Sequence, residues 1–283
     1  MTVTVNYEVE FGGVKIADGN NKIVMNLAPF ESPEIRTSDR NRGQIDGVFP
    51  GVDLYGGRTI EMEIELWGDT EADFYTAYST VLNACVRGAE LPLEFKLPGW
   101  STNLISFVRC RKVSGLVIDQ TFDLSKGTCV IQFVSTDPRL YEAIENSSVV
   151  ELTGSQPGRT YNKTYSRTYG GIIASNLVNA TNLGNYETGW EATIAGPVTN
   201  PAIEHVGQGK LVSIQGSLLT GESLVITSPP YSTIMLGGTS SRYSWLSTSS
   251  SWFMLSPGSN NIRFNGSSAG TPTMTFTWRS AWV

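Results

Sequence analysis

The chain has 283 residues, enough for two domains that each bury a core. Apolar residues make up 40% and charged residues only 16%, below the roughly 25% of ordinary soluble proteins, so Gly, Ser and Thr furnish much of the surface, as in many all-β proteins. The net charge of −6 is unevenly divided: from residue 151 onward there are seven Lys/Arg and five Asp/Glu, which leaves 13 of 20 basic and 21 of 26 acidic side chains in the first 150 residues and no basic patch for gripping nucleic acid.

In chain order, MTVTVNYEVEF alternates: Val3, Val5, Tyr7, Val9 and Phe11 interleave with polar residues, which predicts a strand with one buried face. A secretory signal would need a basic start and a continuous apolar run, and no segment reads as a membrane span. The stretch DGVFPGVDLYGGRTIEMEIELWG, residues 46–68, raises a different question. Gly51, four further residues, Gly56, Gly57, Arg58 and Thr59 shadow the phosphate-cradling P-loop, but a P-loop opens a helix and carries a Lys where this chain has Gly57. The next residues instead alternate Ile60, Met62, Ile64 and Leu66 with Glu61, Glu63 and Glu65, a strand with an acidic wet face.

A single helix is predicted at about residues 70–87, where Phe74, Ala77, Val81, Leu82, Cys85 and Val86 recur at three- and four-residue spacing. Thr70 with Asp73 suits a capping box and Gly88 a C-terminal stop. Strands are predicted next at residues 91–97, 104–111, 113–122 and 128–134. Cys85, Cys110 and Cys129 are odd in number, widely spaced and without a CxxC pair, so they read as buried free thiols, with neither a disulfide framework nor a zinc site suggested.

No Asp occurs after Asp137, and the composition step places a domain boundary near residues 138–170. GSQPGRTYNKTYSRTYGG reads as linker or long excursion. Beyond it, LVSIQG, SLVIT, YSTIMLGG, WFMLSPG, NIRFNG and TMTFTW are short apolar runs at roughly ten-residue spacing, each ended by Gly, Pro or Asn, and predict a second, antiparallel β-sandwich. The Asn-x-Ser/Thr matches at Asn146, Asn162, Asn179 and Asn265 carry little meaning without a secretory route.

Chemistry-bearing residues are sparse. His205 is the one histidine and reads as a solvated loop residue, so a Ser/His/Asp triad would need an Asp from the other domain. Paired carboxylates would have to draw on Glu151, Glu187, Glu191, Glu204 and Glu222 in the second domain. Aromatic residues remain: Trp190, Trp245, Trp252, Trp278 and Trp282 are placed in the second domain, with Trp278 continuing the Met274, Phe276 alternation toward the core. Around SSRYSWLSTSSSW, the trio Arg242, Tyr243 and Trp245 is a candidate glycan contact, where an indole stacks on a sugar while a guanidinium and hydroxyls meet its oxygens.

Taken together, the alternating first strand, DGVFPGVDLYGGRT leading to IEMEIELWG, the single amphipathic helix, FVSTDPRLY as a domain close, and the ending GESLVITSPPYSTIML, SWFMLSPGSNNIRFNG and MTFTWRSAWV resemble the distal tail protein (Dit) family of long-tailed, non-contractile bacteriophages. The resemblance is clearest at residues 46–67, 133–141 and 220–282. It implies a mainly β chain: an N-terminal β-sandwich or barrel-like, ring-forming domain with one α-helix at residues 1–141, a linker at 142–170, and a galectin-like antiparallel β-sandwich at 171–283. It further implies a non-enzymatic homo-hexamer in the virion tail tip, assembled in the host cytoplasm. Tail tube protein and tail-tip hub are its implied neighbours, DNA passes through its channel without specific binding, and no cofactor, metal or membrane insertion is involved. The Gly/Pro loop carrying Asp46, Gly51, Asp53, Gly56, Gly57 and Arg58 is then the candidate contact with the next subunit. The alternative function is a carbohydrate-binding accessory module that holds a host cell-surface glycan.

Overall fold

The computed structural model describes residues 3–86, 88–115, 117–118, 126–152, 176–268 and 270–283. The chain divides into two compact units, Met1–Ile144 with Trp282–Val283, and Glu145–Ala281. Both are built of antiparallel sheets, so the mainly β expectation holds.

The first unit opens with strands β1 (Val9–Phe11), β2 (Val14–Ala17) and β3 (Lys22–Leu27). Four two-residue strands come next, β4 (Ile35–Arg36), β5 (Arg40–Asn41), β6 (Val48–Phe49) and β7 (Leu54–Tyr55), and then the long strand β8 (Arg58–Trp67). The helix α1 (Glu71–Ala84) leads to β9 (Leu91–Phe95), β10 (Leu104–Val113), β11 (Val117–Ile118), β12 (Lys126–Ser135) and β13 (Leu140–Glu142). The main sheet runs β2-β1-β9-β10-β12-β8-β3, with β11 beside β12 and β13 beside β10. Along β8 the pattern predicted from sequence is kept: Ile60, Met62, Ile64 and Leu66 are all fully buried, while Glu61 and Glu63 are exposed. Thr70 caps α1 by accepting from the Asp73 N–H at 3.2 Å and donating to the Asp73 carboxylate at 2.7 Å; Phe74, Ala77 and Val81 face the core, whereas Leu82 and Val86 are exposed. Cys85, Cys110 and Cys129 are buried thiols in this core.

The N-terminal alternation does not run as one strand. Only Val9–Phe11 is regular strand, because Tyr7 takes a left-handed turn (φ 63°) and leaves Val5 and Tyr7 exposed. The turn is held by the Glu8 carboxylate, which accepts from the backbone N–H groups of Thr4 (2.5 Å) and Val5 (3.1 Å) and from Lys15. Local side-chain capture of backbone donors outcompetes the ladder. Of the strand expected at 113–122, β11 is described and residues 119–125 lie outside the described residues.

The second unit contains β14 (Asn146–Glu151), β15 (Leu177–Asn182), β16 (Trp190–Ala195), β17 (Val198–His205), β18 (Lys210–Ser213), β19 (Ser217–Leu218), β20 (Ser223–Thr227), β21 (Thr233–Leu236), β22 (Ser240–Ser241), β23 (Gly258–Ser267) and β24 (Thr273–Trp278). One sheet runs β14-β24-β16-β20-β21-β22 and the other β15-β23-β17-β18, with β19 beside β17. Ala192, Ile194, Leu224, Ile226, Met274 and Phe276 of the first share one apolar cluster with Val178, Ile203, Val212, Ile262 and Phe264 of the second. Two sheets enclosing a common core make a β-sandwich. The run WFML does not form a strand; Phe253 and Leu255 plug the core from an irregular segment, with Leu255 bridged to Thr188. Within the interval expected to be a linker, β14 lies along β24 over Asn146–Glu151, and residues 153–175 lie outside the described residues.

Candidate functional site

Residues 34–55 are exposed without exception, and they form a two-tier hairpin. At its base Ile35 pairs with Tyr55 and Arg36 with Leu54; farther out Arg40 pairs with Phe49 and Asn41 with Val48. Between the tiers, Ser38 Oγ accepts from the Val52 N–H at 3.0 Å, and the Gly51 N–H donates to Asp39 at 2.7 Å. Gly51 is required here: a Cβ would lie 2.3 Å from Ser38 Oγ and 2.4 Å from its carbonyl carbon. The tip closes by the Arg42 N–H donating to the Gly47 carbonyl, with Gly47 at φ 105°. An arm of this kind has no core of its own, since each strand is two residues long and pairs only within the hairpin.

Its side chains are unusual for a solvated loop. Ile35, Ile45, Val48, Phe49, Val52, Leu54 and Tyr55 are between 39% and 74% exposed, and the Arg42 guanidinium lies 5.0 Å from the Phe49 ring centroid. Asp46 and Asp53 are exposed on the same arm.

The root is held differently. Arg58, directly after Gly57, opens β8 and not a helix, so the P-loop shadow has no structural counterpart. A Cβ on Gly57 would come within 2.7 Å of the Ser135 carbonyl, and the Gly56 N–H donates to the Glu34 carbonyl at 2.6 Å. Arg58 is fully buried inside its own domain. Its Nε donates to the Pro138 carbonyl (2.7 Å), and Nη1 donates to the carbonyls of Pro29 (2.6 Å) and Glu31 (2.8 Å). Of the six residues singled out in the loop, Asp46, Gly51 and Asp53 sit on the arm, whereas Gly56, Gly57 and Arg58 form its root.

In the second unit, Arg242, Tyr243 and Trp245 do come together, on the 3₁₀ turn Tyr243–Trp245. The Arg242 guanidinium lies 5.5 Å from the Trp245 ring centroid. On Gly216 a Cβ would meet Trp245 ring atoms at 2.5–2.9 Å, so that indole packs against the glycine backbone as well as against the sandwich core. Tyr243 is 48% exposed.

A family model described as the siphovirus-type tail component, C-terminal domain (SPP1_Dit) matches residues 183–282. Over those residues the chain is similar to the Dit family's C-terminal domain. The Dit likeness extends in fold to the whole chain: the crystal structure of the Dit protein (gp 19.1) of phage SPP1, titled a paradigm of the hub adsorption apparatus in phages infecting Gram-positive bacteria, superposes with a TM-score of 0.68 at 13% identity, covering 98% of this chain and 99% of that one. Baseplate structures of phage P2 in the activated conformation are also similar, with calcium (TM-score 0.51, 10% identity, 93% and 91% covered) and with strontium (0.50, 10%, 92% and 91%). Among curated proteins no sequence matches the chain.

Inside the second unit the polar candidates become structural. His205 ends β17 and is buried: its Nε2 lies 2.9 Å from Asn260 Oδ1, its Nδ1 accepts from the Gln208 N–H at 3.1 Å, and its ring meets Phe253 edge-on. The solvated-loop reading is thereby corrected; the strand pairing His205 with Lys210 and Ile262 carries the side chain inward. Trp190 and Trp278 are core, each indole donating to a carbonyl, Phe253 and Thr181 respectively. Trp282, expected in this domain, belongs to the first unit, where it packs edge-on to Trp100. Sequence reading concentrated on the glycines and charges of residues 46–58 and passed over Ile35, Ile45, Val48, Phe49 and Leu54, although a Val-Phe and a Val-x-Leu inside a Gly/Pro loop were signals of an apolar contact surface.

Proposed function

We propose that the chain is a structural, non-enzymatic subunit of a phage tail tip, assembling as a hexameric ring that joins the tail tube to the tail-tip hub and leaves a channel for DNA. The observation carrying this reading is the arm at residues 34–55, a self-paired hairpin whose apolar side chains stay exposed on their own subunit. Burying a fully exposed side chain of this kind contributes roughly 1.5–3 kcal/mol, and since these seven are 39–74% exposed, covering them all supplies roughly half of that per residue, enough to offset the lower part of an association cost of about 4–15 kcal/mol. A hairpin that meets a different patch on the next copy makes a heterologous contact, which closes by rotation into a ring. The likeness of the fold to the SPP1 Dit protein over nearly its whole length supports the same reading.

The first unit offers a surface suited to a DNA channel. Glu61 and Glu63 project from the exposed face of β8 at the ~7 Å spacing of alternate strand residues, while Glu65 in the same row is ion-paired with Lys126. Such a row repels a phosphate backbone and lets DNA slide. Replacing residues 34–56 by a short Gly/Ser turn is expected to give a folded monomer where the full chain gives a ring, measured by native mass; a ring of unchanged mass would sink the proposal.

For the carbohydrate alternative, the exposed ring of Tyr243 is the available stacking surface, because Trp245 is packed between Arg242 and Gly216. That second function is proposed only as a weak contact made effective by several copies in one ring.

A further inference from the structure

We propose that Arg58 is the positioning residue of the arm: its guanidinium ties both ends of the hairpin to the body of the first domain and thereby sets the direction in which the arm leaves it. The inference rests on the arm being a subunit contact, as proposed above.

The geometry is specific. Arg58 follows the arm by three residues, while Pro29 and Glu31, whose carbonyls accept from Nη1, precede it by five and three. The third acceptor, Pro138, belongs to the TDPRLY segment after β12. One planar fork therefore gathers the entry, the exit and a fixed point in the domain, with all three bonds between 2.6 and 2.8 Å. The neighbouring carboxylate is engaged elsewhere: Asp137 accepts from the Tyr141 hydroxyl at 2.6 Å and from the Arg139 N–H and guanidinium at 3.0 and 3.1 Å. Arg58 thus binds backbone only, and its Nη2 has no partner among the described residues. A fully buried cation whose direct bonds are all to carbonyls, with Asp137 acting on it only through space, is a poor device for plain stability, since an apolar side chain of like volume would fill the core without desolvating a charge. It is well suited to fixing the entry segment at residues 29–31 against β8, whose own Arg58 is already laddered to Ser135. Gly57 adds to the fastening, because its missing Cβ lets the strand approach the Ser135 carbonyl.

Loss of this fork should leave the hairpin formed but free to swing, so that each ring contact must first select one direction among many. The test uses the full chain with Arg58→Lys, which keeps the charge without the fork, and Arg58→Met, which removes both. Amide hydrogen exchange and native mass are read together. In both variants exchange at residues 30–32 and 56–58 is expected to quicken at least tenfold while Ile60–Leu66 and the α1 amides keep their protection, and the ring is expected to need at least tenfold more subunit to form. Unchanged exchange at the root, or a ring forming at the original concentration, overturns the proposal. So does loss of protection throughout β8 and β12 in both variants, which would make Arg58 an ordinary core residue. The chain lacking residues 34–56 separates the two ideas: if it still forms rings, the arm is not a subunit contact, whereas if it fails and Arg58→Lys assembles normally, the arm stands and the positioning role falls.

Discussion

At the scale of single residues, position relative to backbone donors and acceptors decides what a charge does. Glu8 and Arg58 are both buried: Glu8 is satisfied by Lys15 together with the backbone N–H groups of Thr4 and Val5, whereas the direct bonds of Arg58 are all to backbone carbonyls. For Glu8, burial alone would raise the carboxyl pKa, but the bonds from Lys15, Thr4 and Val5 outweigh it and hold the pKa at about 2. Because the folded value lies below the unfolded one, the stabilisation is present above the ordinary carboxylate range and is lost as pH falls from about 4.5 toward 2. Glu8→Gln is therefore expected to lower the melting temperature at neutral pH and to flatten its decline between those limits. Melting curves for the two proteins that stay parallel down to pH 2 would refute this. Cys129 shows the opposite environment: burial lifts its thiol to about 11, which fits its place in the core opposite Ile64.

At the scale of elements, the same chain uses strong local signals and nearly none. Helix α1 has a reciprocal cap at Thr70 and Asp73 and a buried stripe of Phe74, Ala77 and Val81. Thr70→Ala should destabilise the first domain by about 1 kcal/mol, seen as a lower denaturation midpoint with an unchanged slope. An unchanged midpoint would mean that packing alone holds the first turn. β8 is legible for the same reason as α1: four fully buried apolar residues alternate with carboxylates, and a one-residue slip would bury the carboxylates. The arm is not legible in that way. Its strands are two residues long, too short for a period to be read, and what defines them is the meeting of residues such as Ser38 with Val52 across fourteen positions. The N-terminus shows the converse failure, where a clean alternation from Val3 to Phe11 yields only Val9–Phe11 as strand because the Glu8 carboxylate claims the preceding amides.

At the scale of the whole molecule, the two units interleave in sequence. β14, within the interval expected as linker, supplies Val150 to the core of the second unit, and the last two residues return to the first. We propose accordingly that the second domain as an independent folding unit is 145–281. That fragment is expected to melt cooperatively. The fragment 171–283 leaves β24 without its partner β14 and lacks Val150 and Leu152, so it is expected to be less stable by several kcal/mol, in line with about 2–5 kcal/mol for emptying one large core position. Equal melting temperatures for the two fragments would restore the boundary near residue 171.

The sequence by itself determined the mainly β character, the single helix, the face of β8 that turns inward and the burial of Trp278, because each depends on a period or a cap contained within about ten consecutive residues. It also carried the likeness to the Dit family, through turn and strand patterns that the family model matches over residues 183–282. Tertiary structure alone decided that Arg58 faces inward while Phe49 faces outward, that His205 is a core residue, and that Trp282 belongs to the first unit. These outcomes depend on carbonyls and ring faces supplied by residues distant in sequence: Pro29, Glu31 and Pro138, 27 to 80 positions away, around Arg58, Asn260 beside His205 and Trp100 beside Trp282. No local pattern encodes such meetings, since they are fixed only when the sheets close and bring those segments together.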